Sequence, residues 1–391
     1  MISISKLIEK VEKINPNNKE GSWKYIDIAS VDRFQKKIVL DSVSLITTGS
    51  APSRARQLVF ADDIIISTVR PNLNTVAIVP KELDGAIAST GFCILRPNKE
   101  MVDTKYLFHY IKSDDFVNKL VKLATGANYP AVSDKIIKEQ QLKKISLCEQ
   151  KNIAAILDKA EGIRQKREQA IKLADDFLRA TFLDMFGDPV ENPKGWDVTS
   201  LLEYGSFKNG MNFSKGESGA TLKCLGVGDF KSLATITCMD NIGEIELNIL
   251  PSTDYLLNDG DLVFVRSNGN KALVGRCLTI YPGKEKVTFS GFCIRYRIEN
   301  TSITPEYLNF LFRTPSMKQQ MLSGGQGANI QNISQGTLST LRIPVPPLDK
   351  QLAFARLVDF HASIVKKQYD KMAESEKLFD ALTGDFFTFN E

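Results

Sequence analysis

The side chains of this 391-residue chain that could do covalent chemistry form no complete catalytic set. Glu149-Gln150-Lys151 has the acidic-to-basic spacing of some nuclease sites, but no matching Pro-Asp pair stands upstream of it. The same tripeptide opens a helical pattern, where the helix dipole favours an acidic side chain. We therefore interpret Glu149 as a helix-start residue and not as a catalytic carboxylate.

Other common catalytic and ligand-binding motifs are also missing from the sequence. It has no phosphate-binding loop, no GxSxG elbow and no HExxH helix, and Gly226-Val227-Gly228 lacks the third glycine of a dinucleotide site. The two histidines, His109 and His361, are interpreted as structural, and the six cysteines show no CxxC pair. We predict no catalytic residue, no metal site and no cofactor.

Composition and charge leave the function open but restrict its class. Hydrophobic residues make up 43% and charged residues 25%, as in an ordinary globular protein, and the net charge of +4 permits nucleic-acid binding without requiring it. No apolar run approaches the roughly 20 residues of a membrane span, and the first residues do not resemble a signal peptide. We therefore predict a cytoplasmic protein with no membrane partner.

The elements that would position any site are present twice. Gly91-Phe92-Cys93-Ile94 recurs at Gly291-Phe292-Cys293-Ile294, an offset of 291 − 91 = 200, and Gly126-Ala127-Asn128 recurs at 327 − 126 = 201. The later apolar positions keep the offset of 201. Because a constant register over many tens of residues is not expected by chance, the chain is interpreted as an internal duplication.

Each half begins with a mixed α/β domain. Short apolar runs such as Asp63–Val69 and Asp261–Val265 predict strands, since Gly, Pro and Asn separate them. One short helix is expected after each repeated tetrapeptide, over 105–123 and 305–322. A further short helix is expected over 1–16.

Each half ends in a long helix. From Glu149 to about Phe186 apolar residues recur at alternating steps of three and four, with Arg167 interrupting them, and Gly187-Asp188-Pro189 ends the pattern. The second copy runs from about Asp349, and each helix spans roughly 55 Å. Because each exposes the same apolar stripe, we expect an antiparallel coiled coil with an internal pseudo-twofold repeat. The expected domains are a first globular domain over 1–147, a central spacer helix over 148–187, a second globular domain over 188–347 and a distal spacer helix over 348–391.

Three segments carry a resemblance to a known family. They are Thr125–Ser133, Glu149–Asp158 with the helix that follows it to Phe182–Pro189, and Pro346–Gln351, which repeats the entry into the helix. With its duplicated layout, the whole chain resembles the DNA-specificity (S) subunit of type I restriction–modification systems. The resemblance implies two target-recognition domains that each bind one half of a bipartite DNA site, and two helices that set the spacing and dock two methyltransferase subunits.

The same resemblance implies which partners complete the activity. Such a subunit is non-catalytic by itself; its partners are double-stranded DNA, two modification subunits that methylate adenines, and restriction subunits in the full complex. The alternative left open is a duplicated coiled-coil scaffold that binds proteins instead of DNA. Detection of DNA binding by the assembled complex separates the two interpretations.

Loop residues able to contact bases and phosphates are the DNA-binding candidates. They are Arg54, Arg56, Arg70, Asn72, Asn128 and Tyr129 in the first domain, and Lys215, Arg266, Asn268, Lys271, Asn329 and Gln331 in the second. The alternative for the loop cations is an ordinary solvated surface charge. For Asn128, Tyr129, Asn329 and Gln331 it is a structural turn before the long helix, which the sequence favours. Arg70 and Arg266 each follow a predicted strand and are expected at equivalent places, so both domains would present the same surface. Phe182 and Phe186 are candidate partner contacts, with core packing as the alternative.

Overall fold

The computed structural model describes residues 1–126, 128–214, 216–230, 234–323 and 332–387. The chain divides into two compact units. Unit 1 comprises Met1–Glu168 with Tyr369–Glu391, and unit 2 comprises Gln169–Gln368. Each unit therefore contains one globular domain together with a part of both long helices.

Unit 1 is built on two four-stranded sheets. Its strands are β1 (Ile2–Ser3), β2 (Ile8–Glu9), β3 (Ser22–Ile26), β4 (Val31–Asp32), β5 (Lys37–Ile38), β6 (Ser44–Thr47), β7 (Ala55–Val59), β8 (Ile64–Ser67), β9 (Val76–Ile78), β10 (Ala86–Ser89), β11 (Phe92–Pro97) and β12 (Gln141–Leu142). Its helices are α1 (Thr104–Lys112), α2 (Asp114–Leu123), α3 (Asp134–Glu139) and the first part of α4 (Leu147–Phe186). The two sheets have the orders β2-β11-β8-β9 and β6-β3-β10-β7, and β1 pairs with β12.

Unit 2 repeats most of this topology, with sheets of five and three strands in place of two sheets of four. Its strands are β13 (Val198–Ser200), β14 (Gly205–Asn209), β15 (Ala220–Leu225), β16 (Thr235–Ile236), β17 (Glu244–Leu247), β18 (Asp261–Val265), β19 (Cys277–Ile280), β20 (Val287–Phe289), β21 (Cys293–Ile298) and β22 (Arg342–Pro344). Its helices are α5 (Pro305–Phe312), α6 (Pro315–Ser323), α7 (Gln335–Ser339) and the first part of α8 (Leu348–Phe387). The sheets have the orders β14-β21-β18-β19-β16 and β17-β15-β20, and β13 pairs with β22.

The two units therefore share most of their strand order, including the same parallel pair, β3 with β10 in unit 1 and β15 with β20 in unit 2. They differ at two sheet edges, where β7 pairs with β10 in unit 1 and β16 pairs with β19 in unit 2. A buried ion pair is also duplicated. Arg96 binds the Asp63 carboxylate at 2.8 Å and Arg297 binds the Asp261 carboxylate at 2.6 Å. Asp63 precedes β8 by one residue and Asp261 is the first residue of β18, and these two strands are called the central strands below. The prediction of two similar mixed α/β domains is confirmed.

The repeated tetrapeptide is not structurally equivalent in the two units. Cys93 pairs with Ile66 in β8, whereas the residue at the matching place in β18, Phe264, pairs with Ile294. The structural offset is therefore 294 − 93 = 201, and the tetrapeptide match at 200 is displaced by one residue. This one-residue difference puts Phe92 inside β11, where it is buried, and leaves Phe292 in the turn before β21, where it is exposed.

Two expectations about short helices are wrong. In each unit two helices stand where one was expected. Ser113 ends α1 and caps α2, accepting from the Phe116 N–H at 3.3 Å, and Arg313 and Thr314 lie between α5 and α6. The first residues form no such helix as a whole. They supply β1 and β2, which pair with β12 and β11, as β13 and β14 pair in unit 2.

The long helices are confirmed, and each has 40 residues. In unit 2 their segments run antiparallel, since Asp175 contacts His361 at 3.0 Å while Phe182 packs on Phe354 with ring centroids 5.4 Å apart. In unit 1 the same direction holds. The Arg167 guanidinium donates to the Lys371 carbonyl at 2.5 Å and also to the Ser375 hydroxyl, whereas Ala160 lines a cleft with Phe379.

No helix in the described part of the chain has the length and apolar character needed to cross a membrane. The same residues include no group of three or more His, Cys, Asp or Glu side chains placed to hold a metal ion.

Candidate nucleic-acid interface

The turn that follows β8 brings together two of the DNA-binding candidates from distant parts of the sequence. Val69 forms a bridge with Ala131, and the Arg70 N–H donates to the Pro130 carbonyl at 2.7 Å. The Arg70 guanidinium consequently lies 4.8 Å from the centroid of the Tyr129 ring. Both side chains are exposed, so a stacked cation is presented to solvent at this end of unit 1.

The backbone of this turn is held in an uncommon conformation. Arg70 and Asn74 have φ of +51° and +46°, in the left-handed region that L-residues rarely adopt, and Pro71–Leu73 form one short turn between them. Asn72, another candidate, is exposed on this turn. Such strain costs about 1 kcal/mol or more per residue and persists only where neighbouring contacts fix it.

Two lysines and one asparagine supply those contacts. The Asn74 side-chain amide donates to the Lys112 carbonyl at 3.0 Å, and the Lys36 ammonium donates to the Asn74 carbonyl at 2.5 Å. Burial, assisted by the charge of Lys112, lowers the pKa of Lys36 to about 8. Burial also lowers the pKa of Lys112. The exposed turn is therefore held by contacts to Lys36 and Lys112, whose ammonium groups are partly desolvated.

The remaining candidates of unit 1 differ in availability. Arg54 is exposed, and its carbonyl accepts from the Thr90 N–H at 2.8 Å, next to Gly91, whose carbonyl accepts from Thr68. Arg54 therefore lies at the same end of the unit as the Arg70 turn. Arg56 is half-buried, and its guanidinium donates to the Ala55 carbonyl at 2.9 Å. Asn128 is exposed.

In unit 2 the equivalent loop follows β18. The Arg266 N–H donates to the Phe292 carbonyl at 2.8 Å, and its own carbonyl accepts from Ile333 at 3.0 Å. The side-chain oxygen of Asn268 accepts from the Asn270 N–H at 2.8 Å and so closes a local turn, whereas Lys271 is exposed. Lys215, Asn329 and Gln331 lie outside the described residues.

The expected equivalence of Arg70 with Arg266 is wrong by two residues. The Val132 N–H donates to the Thr68 carbonyl at 2.9 Å, the bond that Ile333 makes to Arg266 in unit 2. Arg266 is therefore the counterpart of Thr68, and the counterpart of Arg70 is Asn268. The two units present one loop at one topological place but with different side chains on it.

Exposed aromatic rings are a feature that our sequence analysis missed. Phe292 is 60% exposed and Phe213 is 41% exposed, both in loops of unit 2. The tetrapeptide repeat concealed Phe292, because its partner in sequence, Phe92, is a core residue. A comparison at the offset of 201 would have aligned Phe292 with Gly91 and revealed the difference.

Phe182 and Phe186 are not available to a partner protein. They are 1% and 2% exposed and pack on Phe354 and Tyr307 in the core of unit 2, so the alternative of core packing describes them. Both side chains point from α4 toward α5, and the periodicity of the sequence alone does not show which element they face. The helices do carry large exposed apolar side chains, among them Leu173, Phe177, Phe360, Ile364 and Leu378.

The two histidines have structural surroundings. His109 is buried, and its Nε2 lies 2.8 Å from the Asp158 carboxylate, which also accepts from Lys105 at 2.6 Å. Burial, with the charge of Lys112, lowers the pKa of His109 to about 4 despite the neighbouring carboxylate. His361 contacts Asp175 between the helices of unit 2. Neither arrangement includes a nucleophile.

The chain is similar to known specificity subunits over most of its length. It is 25% identical over 352 residues to the type I restriction enzyme StySPI specificity subunit of Salmonella potsdam, covering 84% of this chain and 74% of that protein. It is 24% identical over 348 residues to the EcoKI specificity subunit of Escherichia coli K12, with the same coverage.

Solved structures share the fold. A chain from a study of complex assembly and conformational transition of the type I R-M system matches with a TM-score of 0.63 at 24% identity, over 99% of this chain and 97% of that one. The type I restriction-modification S subunit from M. genitalium matches with a TM-score of 0.54 at 14% identity, over 100% and 96%.

The family match covers both halves of the duplication. The family described as the type I restriction modification DNA specificity domain matches residues 5–173 and again residues 193–371. Each match contains one globular domain and a large part of the long helix that follows it. The chain therefore belongs to the type I restriction modification DNA specificity family.

Proposed function

We propose that this chain is the sequence-specific DNA-binding subunit of a type I restriction–modification complex. Each unit binds one half of a bipartite target, and the long helices set the distance between the halves and dock two methyltransferase subunits. The chain supplies specificity and no catalytic group, and it acts in the cytoplasm on double-stranded DNA. Restriction subunits join the same assembly.

The observation that carries this proposal is the loop after the central strand of each unit. In both units it is fixed by backbone bonds to the segment before the third short helix, and in both it offers cations or amides to solvent. In unit 1 the stacked pair of Arg70 and Tyr129 occupies it. An arginine held over an aromatic ring is suited to the paired acceptors of a guanine edge in the major groove.

The net charge of +4 is small for a DNA-binding protein, which favours a complex in which the partner subunits make part of the DNA contacts. Binding that relies on few phosphate contacts is weak, and its affinity falls with salt. Methyltransferase subunits bound to the helices would add further contacts to the duplex. We therefore expect the isolated chain to bind DNA more weakly than the complex.

The test is to co-express the chain with its cognate methyltransferase subunits and to map methylated adenines in the host genome. The expected result is one split sequence with an unspecified spacer of fixed length. A complex that assembles but leaves the genome unmethylated and binds no duplex would refute the proposal and favour the protein-binding scaffold. A continuous target would refute the bipartite arrangement alone.

A further inference from the structure

Phe292 occupies an exposed turn that the repeated tetrapeptide would place in the core. The Cys293 N–H donates to the Ser290 carbonyl at 2.8 Å, so Gly291 and Phe292 form the tip of a turn before β21. The ring of Phe292 is 60% exposed, whereas Phe92 is 1% exposed. An exposed phenylalanine forgoes the free energy that burying its ring would contribute to folding. Folding of unit 2 therefore gives no reason for this ring.

The corresponding position in unit 1 has no side chain. The Thr68 N–H donates to the Gly91 carbonyl at 2.9 Å, and the Arg266 N–H donates to the Phe292 carbonyl at 2.8 Å. These bonds are equivalent, so unit 2 places a benzyl group where unit 1 has a hydrogen. The backbone hydrogen bond forms with either residue, so the turn does not require the Phe292 ring for its structure.

The turn holds the ring in a defined place. The Gly291 N–H donates to the Met211 carbonyl at 2.8 Å, and the Phe292 N–H donates to the Ser290 hydroxyl at 3.3 Å. The contact at Gly291 is close, since a Cβ added there would lie 2.0 Å from the Asn212 side-chain oxygen. The ring is thus presented from an anchored backbone, which reduces the entropy lost on binding.

The surroundings of the ring suit nucleic acid. Arg266 is bonded directly to Phe292 through the backbone, and the exposed Lys271 follows in the same loop. A second exposed ring, Phe213, stands two residues after Met211. Apolar rings flanked by cations are typical of surfaces that stack on bases or enter a base step while the cations contact phosphates.

We propose that Phe292 is a DNA-distorting residue of unit 2, whose ring stacks against bases of the half-site that this unit binds and opens one base step. This proposal rests on the proposed DNA-binding function. It makes the two half-sites physically different, because Gly91 gives unit 1 no ring at this place. The specificity of unit 2 would then depend on how easily the bases of its half-site unstack, in addition to the hydrogen-bonding groups on their edges.

The experiment uses the complete methyltransferase complex and duplexes that carry the mapped target. The half-site of unit 2 is the one whose recognition changes in Arg266→Ala. Duplexes with 2-aminopurine at single positions of either half-site report unstacking through increased fluorescence. The variants are Phe292→Gly, which reproduces the unit 1 residue, and Phe292→Leu, which keeps an apolar side chain. The control is Ile249→Ala, a residue of unit 2 that is 82% exposed.

Apart from the adenines that the methyltransferase subunits flip out for methylation, we expect fluorescence with wild-type protein to rise at one step of the unit 2 half-site and at none of the other. Phe292→Gly should abolish the rise and weaken binding about tenfold or more, the size expected for loss of one base stack. Phe292→Leu should give an intermediate result, and the Ile249 variant should behave as wild type. All variants should show an unchanged melting temperature, since the ring is exposed.

Two results would overturn the inference while leaving the proposed function intact. One is a Phe292→Gly complex that binds its target within twofold of wild type with the same fluorescence. The other is a Phe292→Gly chain that needs more methyltransferase subunit to assemble but binds DNA normally in the assembled complex, which would make the ring a protein contact. Absence of any binding by the wild-type complex would instead refute the proposed function.

Discussion

Arg70 reaches its exposed position through contacts made by other residues. Tyr129 lies beneath its guanidinium, and Asn74 and Lys36 hold the turn that carries it. We predict that Arg70→Lys, which keeps the charge but loses the planar fork, lowers affinity for the target about tenfold. Competition binding with the assembled complex measures this. The matched control is Arg33→Lys, another arginine stacked on an aromatic ring, at 4.9 Å from Phe34; equal effects of both variants would contradict the assignment.

His109 makes the stability of the protein depend on pH. Burial lowers its pKa from 6.5 to about 4, so the unfolded chain binds a proton that the folded chain does not between those values. Stability is therefore complete above pH 6.5 and is lost as the pH falls toward 4, by at most about 3 kcal/mol. Urea unfolding at pH 7 and pH 5 should show a smaller decrease for His109→Gln than for wild type. The same decrease in both proteins would be inconsistent with this account.

At the scale of elements, a buried glutamine fastens each long helix to its globular domain. The Gln351 side chain accepts from the Thr304 N–H at 3.0 Å and donates to the carbonyls of Pro346 at 2.7 Å and Ser302 at 3.3 Å. Gln150 makes the equivalent three bonds in unit 1. We predict that Gln351→Ala lowers the free energy of unfolding by about 2–3 kcal/mol, because it strands buried backbone groups. In denaturant titrations, the exposed Gln169→Ala should change little.

The outer faces of the same helices are the expected docking surface. Phe177 and Phe360 are 69% and 65% exposed in the helical part of unit 2. We predict that Phe177→Ser weakens assembly with methyltransferase subunits about tenfold or more, as for a central interface aromatic. Leu202→Ser, a change at a 57% exposed residue away from the helices, serves as control in a pull-down titration with purified subunits. If both variants assembled equally well, Phe177 would not be part of the docking surface.

At the scale of the whole molecule, two continuous helices run through both compact units. Inward positions on each alternate by three and four residues, so one heptad can be removed without rotating the seam. We predict that deleting residues 162–168 and 363–369 together shortens the helices by about 10 Å and the preferred DNA spacer by about three base pairs at ~3.4 Å each. Methylation of duplexes with graded spacers measures this. Undiminished methylation at the original spacer would show that the helices do not set the distance.

The amino-acid sequence alone determined the duplication, the two long helices and the order of globular domain and helix. An amphipathic helix is recognisable from apolar residues spaced three and four positions apart. The same spacing, repeated 201 positions later, predicted both helices almost to their ends. The central strands were also predictable, since each is a compact apolar run between turn residues. These features depend on neighbours in sequence.

Only the tertiary structure decided which face each residue takes. Phe92 begins β11 and lies in the core, whereas Phe292 lies one residue before β21 and is exposed, although both belong to the same tetrapeptide. Likewise, Phe182 was assigned to the core by α5, which is remote in sequence. The period of a pattern is local, but its phase relative to the core is fixed by long-range pairing and packing, and that is why the site residues could not be ranked from sequence.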